Sequence, residues 1–313
     1  MYFLKNYKEI INSIEIVKKK KNAIVLAHYY QLPEIQEIAD YVGDSYGLSK
    51  KAKATKADVI VFAGVKFMAE TAKILNYETK VLLPEPEAGC SLADSCPAEE
   101  FEKFVKQYPD HIVISYINSS IEVKTLTDIV CTSSNAVKIV ESLPKEQKII
   151  FAPDKNLGNY IIKQTGRDMV LWDGACHVHN QLHVDKVIKM KNKHKSALLV
   201  AHPECQGPIL EIADFVGSTT QIIEFSEKTK SKELIVATET GILHEMQKKS
   251  PEKTFYIVPA DESCNCNDCN FMKMINLEKI LFSLENDFFE IKVDEKTRDK
   301  ALISIERMIE IVK

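Results

Sequence analysis

Short apolar runs recur along the chain, and between them Ile, Leu and Val return every three or four positions. Runs that are apolar throughout suit strands buried on both faces, and the 3.6-residue period between them suits helices packed over those strands. The runs come in sets of three. AIVLA from Ala23, VIVFA from Val59 and KVLLP from Lys80 form the first set. HIVISYI from His111, KIIFA from Lys148 and MVLW from Met169 form the second; ALLVA from Ala197, ELIVA from Glu233 and TFYIVP from Thr254 form the third. Strands alternating with helices predict βαβ units and parallel sheets. Two further helical patterns, near Tyr7–Lys20 and Glu295–Val312, flank the whole.

The sets are copies of one another. AHYYQLPEIQEIADYVGDS from Ala27 and AHPECQGPILEIADFVGST from Ala201 match without a gap, and SYINSSIEVKTLTDIVCTSS from Ser115 lies between them. Aligned on Asp40, Asp128 and Asp214, all three read D-x-V-x-x-[S/T], and twelve positions before each Asp stands His28, Tyr116 or His202. A repeat of this length predicts stacked copies of one supersecondary unit. The expected fold is α/β: three pseudo-symmetric, three-layer αβα units with parallel sheets around a central site. The predicted boundaries are residues 1–100 with the N-terminal helix, 101–190, 191–280, and a helical extension over 281–313 packing back on the body.

In parallel sheets ligands bind beyond the carboxyl ends of the strands. His28, Tyr116 and His202 each close the first strand of their copy, and two positions on stand Tyr30, Asn118 and Glu204. A pseudo-threefold axis would bring these loops to one site; the plainer alternative is three separate polar caps. Ser45, Ser133 and Thr219 fall at expected helix starts (GDSYG, CTSSNA, GSTTQ), where backbone N–H groups and the helix dipole favour anions. Ordinary N-capping is the alternative for each.

Composition narrows the class. A net charge of -4 gives no basic field for nucleic acid or an anionic membrane, and no apolar run reaches membrane-spanning length. The first 21 residues lack a signal peptide's uninterrupted apolar core, so a soluble, cytoplasmic protein is expected. In that compartment eight cysteines point to metal ligation rather than a disulfide framework. Each copy carries cysteine after its last strand: Cys90, Cys176, and one of Cys264, Cys266 or Cys269. Cys131 and Cys205 are expected to be small buried hydrophobes. One thiolate per copy suits a metal centre on the axis. Three thiolates leave a 4Fe–4S cluster with one open iron, able to act as a Lewis acid. The run Cys264 to Cys269 also suits a structural zinc or a redox disulfide by itself.

Taken together these segments resemble quinolinate synthase. The resemblance rests on AHYYQ at Ala27, GDS at Gly43, AGCSLAD at Ala88, SYINSS at Ser115, CTSSNAV at Cys131, W-x-G-x-C-x-x-H from Trp172 to His179, HPEC at His202, VGST at Val216, ATETGILH at Ala237 and CNFMKM at Cys269. It implies three α/β domains around a 4Fe–4S cluster held by Cys90, Cys176 and Cys269 with one open iron. The third cysteine is placed by C-x-x-M-K-M, where this chain has Asn270 and Phe271 in place of the usual Pro and Tyr. The implied reaction condenses iminoaspartate with dihydroxyacetone phosphate to quinolinate, phosphate and water, for NAD biosynthesis. An L-aspartate oxidase or aspartate dehydrogenase would supply the iminoaspartate. The implied substrate residues are His28, Tyr30, Asp44, Ser45, Tyr116, Asn118, Ser133, His202, Glu204 and Thr219. Glu204 is the expected general base, Tyr30 a proton donor, and His28 and His202 phosphate binders or proton carriers. A hydro-lyase using an open cluster iron, and a non-catalytic zinc scaffold, are the rival readings.

Overall fold

The computed structural model describes residues 7–260 and 267–313. It contains three four-stranded sheets, parallel throughout and flanked by helices. The strands are β1 (Ala23–His28), β2 (Tyr41–Gly43), β3 (Val59–Ala63) and β4 (Lys80–Leu82); β5 (His111–Tyr116), β6 (Ile129–Cys131), β7 (Lys148–Ala152) and β8 (Val170–Leu171); and β9 (Leu198–Ala201), β10 (Phe215–Val216), β11 (Glu233–Ala237) and β12 (Thr254–Ile257). The strand orders are β2-β1-β3-β4, β6-β5-β7-β8 and β10-β9-β11-β12, one topology three times. Each apolar run of the sequence is a strand. The second strand of each sheet, two or three residues long, was not among them.

The repeated aspartate builds that second strand. Asp40, Asp128 and Asp214 donate their backbone N–H to the carbonyl of Val25, Val113 and Leu199, at 2.8–2.9 Å. Their carboxylates accept the N–H of the same three residues at 2.7–2.8 Å. Each Asp therefore replaces a missing ladder partner beside the central strand, and Tyr41, Ile129 or Phe215 after it can pair in register. The invariance of the motif across the copies is explained by the sheet.

The chain divides into two compact units: residues 1–90 with 270–298, and residues 91–269 with 299–313. In the first, Val25, Leu26, Ala27, Val61, Phe62 and Leu82 are buried in the sheet. Helix Tyr7–Lys20 packs against helix Leu277–Asn286. The segment after that helix borders β4: Leu83 N–H donates to Phe289 O at 3.0 Å and Ile291 N–H to Val81 O at 2.8 Å, and Lys21 and Lys80 both pair with Asp287. The second unit holds the other two sheets. One core there joins Phe101, Val113, Val123 and Ile150; another joins Val187, Leu199, Ile209, Ile235 and Val258. No helix among the described residues is long and apolar enough to cross a membrane.

Candidate active site

The strand-end loops fold alike. The N–H of Tyr30 donates to Nδ1 of His28 at 3.1 Å, and the N–H of Glu204 to Nδ1 of His202 at 3.4 Å. His28, Tyr116 and His202 are all buried. Two of the loops are braced from below by the same device. Gln36 Nε2 donates to the carbonyls of Tyr29 and Gln31, either side of Tyr30, at 3.0 and 2.8 Å. Lys124, fully buried, donates to the carbonyls of Ile117 and Ser119, either side of Asn118. Gln36 and Lys124 occupy equivalent positions, four residues before Asp40 and Asp128. Buried backbone carbonyls require such partners.

In the second compact unit a chain of polar contacts runs through Glu204. Its Oε2 lies 2.8 Å from His179 Nδ1 and 3.3 Å from His202 Nδ1. His179 Nδ1 is also 3.3 Å from Cys176 Sγ, and its Nε2 is 2.9 Å from Thr238 Oγ1. His202 Nε2 is 3.3 Å from Ser133 Oγ, and the His179 and His202 rings stack with centroids 4.8 Å apart. Cys176, Glu204, His202 and Ser133 are thus brought together through His179. A cavity of about 420 Å³ reaches Ser133 and Pro203 beside this chain. Burial alone would raise the Glu204 pKa, but the two imidazoles outweigh it and hold the carboxyl well below the usual range. Oε1 of Glu204 and Oδ1 of Asn118 are buried and accept no hydrogen bond among the described residues.

The cysteine loops carry a shared signature. The N–H of the third residue after each inner strand donates to the carbonyl two positions before a cysteine. Lys66 donates to Ala88 O and Lys155 to Gly174 O, both at 2.8 Å, and Thr240 donates to Asn267 O at 3.3 Å. The cysteines so marked are Cys90, Cys176 and Cys269, each half-buried. Cys264 and Cys266 lie outside the described residues. Cys96, Cys131 and Cys205 are buried, and burial pushes their thiols up, Cys96 to about 12, which disfavours the ligating thiolate. The accessible thiols thus stand one per repeat at one loop position, a donor type suited to iron–sulfur ligation. Cys176, His179 and Glu204 also present a sulfur, a nitrogen and an oxygen within 4.8 Å of one another.

Two helix starts fall where expected. Ser45 opens helix Ser45–Ala54 with Asp44 as its cap, accepting the Gly47 N–H at 2.8 Å, and Thr219 opens Thr219–Lys228 with Ser218 as its cap. Ser133 is different. Its helix begins at Ala136, because Asn135 Oδ1 accepts the Thr132 N–H at 2.7 Å and Thr132 O accepts from Asn135 and Ala136, a turn that delays the helix. Ser133 therefore faces His202 from a turn. Of the other expected residues, His28, Tyr30, Asp44, Ser45 and Cys90 belong to the first compact unit, and Tyr116, Asn118, Thr219 and Cys269 to the second.

Sequence reasoning gave no role to three groups that matter here: His179, and the buried carboxylates Asp154 and Glu239. Asp154 Oδ2 accepts the N–H of Cys176 at 3.1 Å, and Glu239 Oε1 accepts the N–H of Cys269 at 3.1 Å. Burial, and secondarily the charge of Glu204, push the Asp154 carboxyl well above its ordinary range. His179 stood in the W-x-G-x-C-x-x-H run, three residues after the cysteine; this is one helical turn, the signal that pairs the two side chains.

Comparison with known proteins gives one family. The family described as "Quinolinate synthetase A protein" matches residues 12–310. Quinolinate synthase of Microcystis aeruginosa is 55% identical over 303 residues, covering 97% of this chain and 95% of the relative. The quinolinate synthases of Synechocystis sp. and Thermosynechococcus vestitus are 54% and 53% identical, covering 96% and 97% of this chain and 95% of each relative.

Proposed function

Because the chain belongs to the quinolinate synthase family, we propose that it condenses iminoaspartate with dihydroxyacetone phosphate to quinolinate, phosphate and water, in de novo NAD biosynthesis. The observation that carries the reading is the contact chain Cys176–His179–Glu204–His202–Ser133, which sets a buried carboxylate between a cysteine thiol and a hydroxyl. The cofactor is a 4Fe–4S cluster on Cys90, Cys176 and Cys269. When bound, its open iron supplies a Lewis acid for the departing oxygen.

The protein's own groups divide the remaining work. Joining two carbon skeletons requires removal of a proton beside a carbonyl or imine. Glu204 is the acceptor for that proton, through the buried Oε1 that no described residue engages. The two imidazoles spread the charge it carries. Tyr30 donates a proton, and His28 binds phosphate or carries protons. Tyr116 and Asn118 orient the substrate, Asn118 through Oδ1. Ser45 with Asp44 at its helix cap, Thr219 at its helix start, and Ser133 beside His202 hold the anionic groups. The folding modules proposed are residues 1–100, 101–190, 191–280 and 281–313. The protein would act in the cytoplasm, supplied with iminoaspartate by an L-aspartate oxidase or aspartate dehydrogenase.

The deciding experiment is anaerobic purification followed by an assay for quinolinate from the two substrates. A brown, iron-bearing protein that forms quinolinate supports the reading. A colourless protein with bound zinc and no product refutes it and favours the scaffold.

A further inference from the structure

We propose that Asp154 and Glu239 are positioning residues for the cluster, each fixing the backbone of one cysteine-bearing loop so that its sulfur points where the metal requires. The proposal rests on the cluster reading above.

Both carboxylates are fully buried, and both stand two residues beyond an inner strand, after Ala152 of β7 and Ala237 of β11. Each uses its two oxygens on two backbone N–H groups. Asp154 Oδ1 takes the N–H of Leu157, in the first turn of the following helix, at 2.8 Å, while Oδ2 takes that of Cys176 at 3.1 Å. Glu239 Oε2 takes the N–H of Gly241, the cap of the following helix, at 2.7 Å, while Oε1 takes that of Cys269 at 3.1 Å. One carboxylate thus ties a helix start to a cysteine. An ordinary cap ends at the helix.

The first repeat shows that the fold does not demand this. Its equivalent residue is Val65, yet it builds the same strand order, the helix Lys66–Leu75, and the same tie from Lys66 N–H to Ala88 O. What valine cannot supply is an acceptor for the cysteine's own N–H. The extra bond in the second and third repeats therefore serves the cysteine. Space around the second loop is also tight. A Cβ on Gly174 would meet Pro153 O at 2.4 Å, so the loop is pressed on the strand end where the carboxylate reaches it. Partners of this kind, one shell out from a metal, commonly control affinity by about 10- to 100-fold.

The test uses isosteric amides in the full chain. Asp154→Asn and Glu239→Gln keep the side-chain size but replace one acceptor oxygen by an amino group facing an N–H. Asp294→Ala, which removes an exposed cap from Thr297 N–H, is the control for simple loss of a cap. Each protein is reconstituted with iron and sulfide anaerobically. Iron per chain, visible absorption and the rate of iron release to a ferrous chelator are read beside the melting temperature of the cluster-free chain. The expected result is release about 10- to 100-fold faster in both amide variants, at a melting temperature no lower than that of the control. Native release rates in both overturn the proposal. So does loss of iron only in step with loss of folding, as an ordinary cap would give. A native chain that takes up no iron overturns the cluster reading itself, and this proposal with it.

Discussion

Replacing Lys124 by Met tests how far the site depends on a brace that touches no substrate. Lys124 is fully buried and donates to Ile117 O at 2.9 Å, to Ser119 O, and to Ser119 Oγ at 3.4 Å. Met fills similar space and donates nothing, so two buried carbonyls each lose a hydrogen bond, Ile117 O keeping only that from the Ser119 N–H at 2.8 Å. Each lost partner costs about 1–3 kcal/mol. Relief from burying an ammonium returns part of that, leaving a net loss of about 2–4 kcal/mol. For a unit of this size each kcal/mol shifts the melting temperature by roughly 2–4 °C, so a fall of about 5–15 °C is expected. The loop bearing Asn118 loosens with it, and the Michaelis constant should rise roughly tenfold, the effect of misplacing one positioned polar contact. Lys124→Gln should recover most of both losses, because Gln36 performs the same double donation in the first repeat. The measurements are thermal melts of the cluster-free chain and steady-state kinetics of the reconstituted enzyme. A Met variant as stable as the native chain, or a Gln variant no better than Met, refutes the reasoning.

Other outcomes follow from the same structure. Cys90→Ser, Cys176→Ser and Cys269→Ser should each lose visible absorption and bound iron, while Cys131→Ser and Cys205→Ser should keep both, read on the reconstituted proteins. Asp40→Ala, Asp128→Ala and Asp214→Ala each remove one acceptor from a strand N–H and should cost about 1–3 kcal/mol in urea unfolding, Asp40→Ala the most because its carboxylate also pairs with the buried Lys18 at 3.0 Å, with kcat unchanged. Ser45→Ala, Ser133→Ala and Thr219→Ala should each raise the Michaelis constant about tenfold or more, the scale of a charge-assisted hydrogen bond, with little change in melting temperature.

The sheets were legible because their signal is repeated and periodic. Apolar runs such as VIVFA and ELIVA are of strand length and rich in β-branched residues, and three aligned copies of them alternating with helical patterns point to one repeated topology. The second strands escaped because Tyr41–Gly43, Ile129–Cys131 and Phe215–Val216 are too short to show a period; the aspartate before each supplies what length does not. The residues that close the first strands and the cysteines were visible as reactive types at equal offsets. Asp154 and Glu239 were not, since a buried carboxylate two residues past a strand looks like any loop acid until its partners are seen. The start of the helix after Ser133 was misjudged because a side chain, Asn135, rather than a run of residues, sets where it begins.

The first compact unit is assembled from both ends of the chain, with residues 270–298 lying on residues 1–90. This inverts the order in which the protein can mature. The sheet that is synthesised first is finished late, since the border of β4 and the partner of helix Tyr7–Lys20 are not made until roughly 180 further residues have left the ribosome, on the order of 10–40 s at ordinary rates of synthesis. During that interval Cys90 sits on an incomplete sheet, while Cys176 already follows a sheet whose four strands, β5 to β8, all precede it. A nascent or truncated chain that stops before Asn270 therefore presents an open strand edge at β4, available for pairing with another chain until the C-terminal segment covers it.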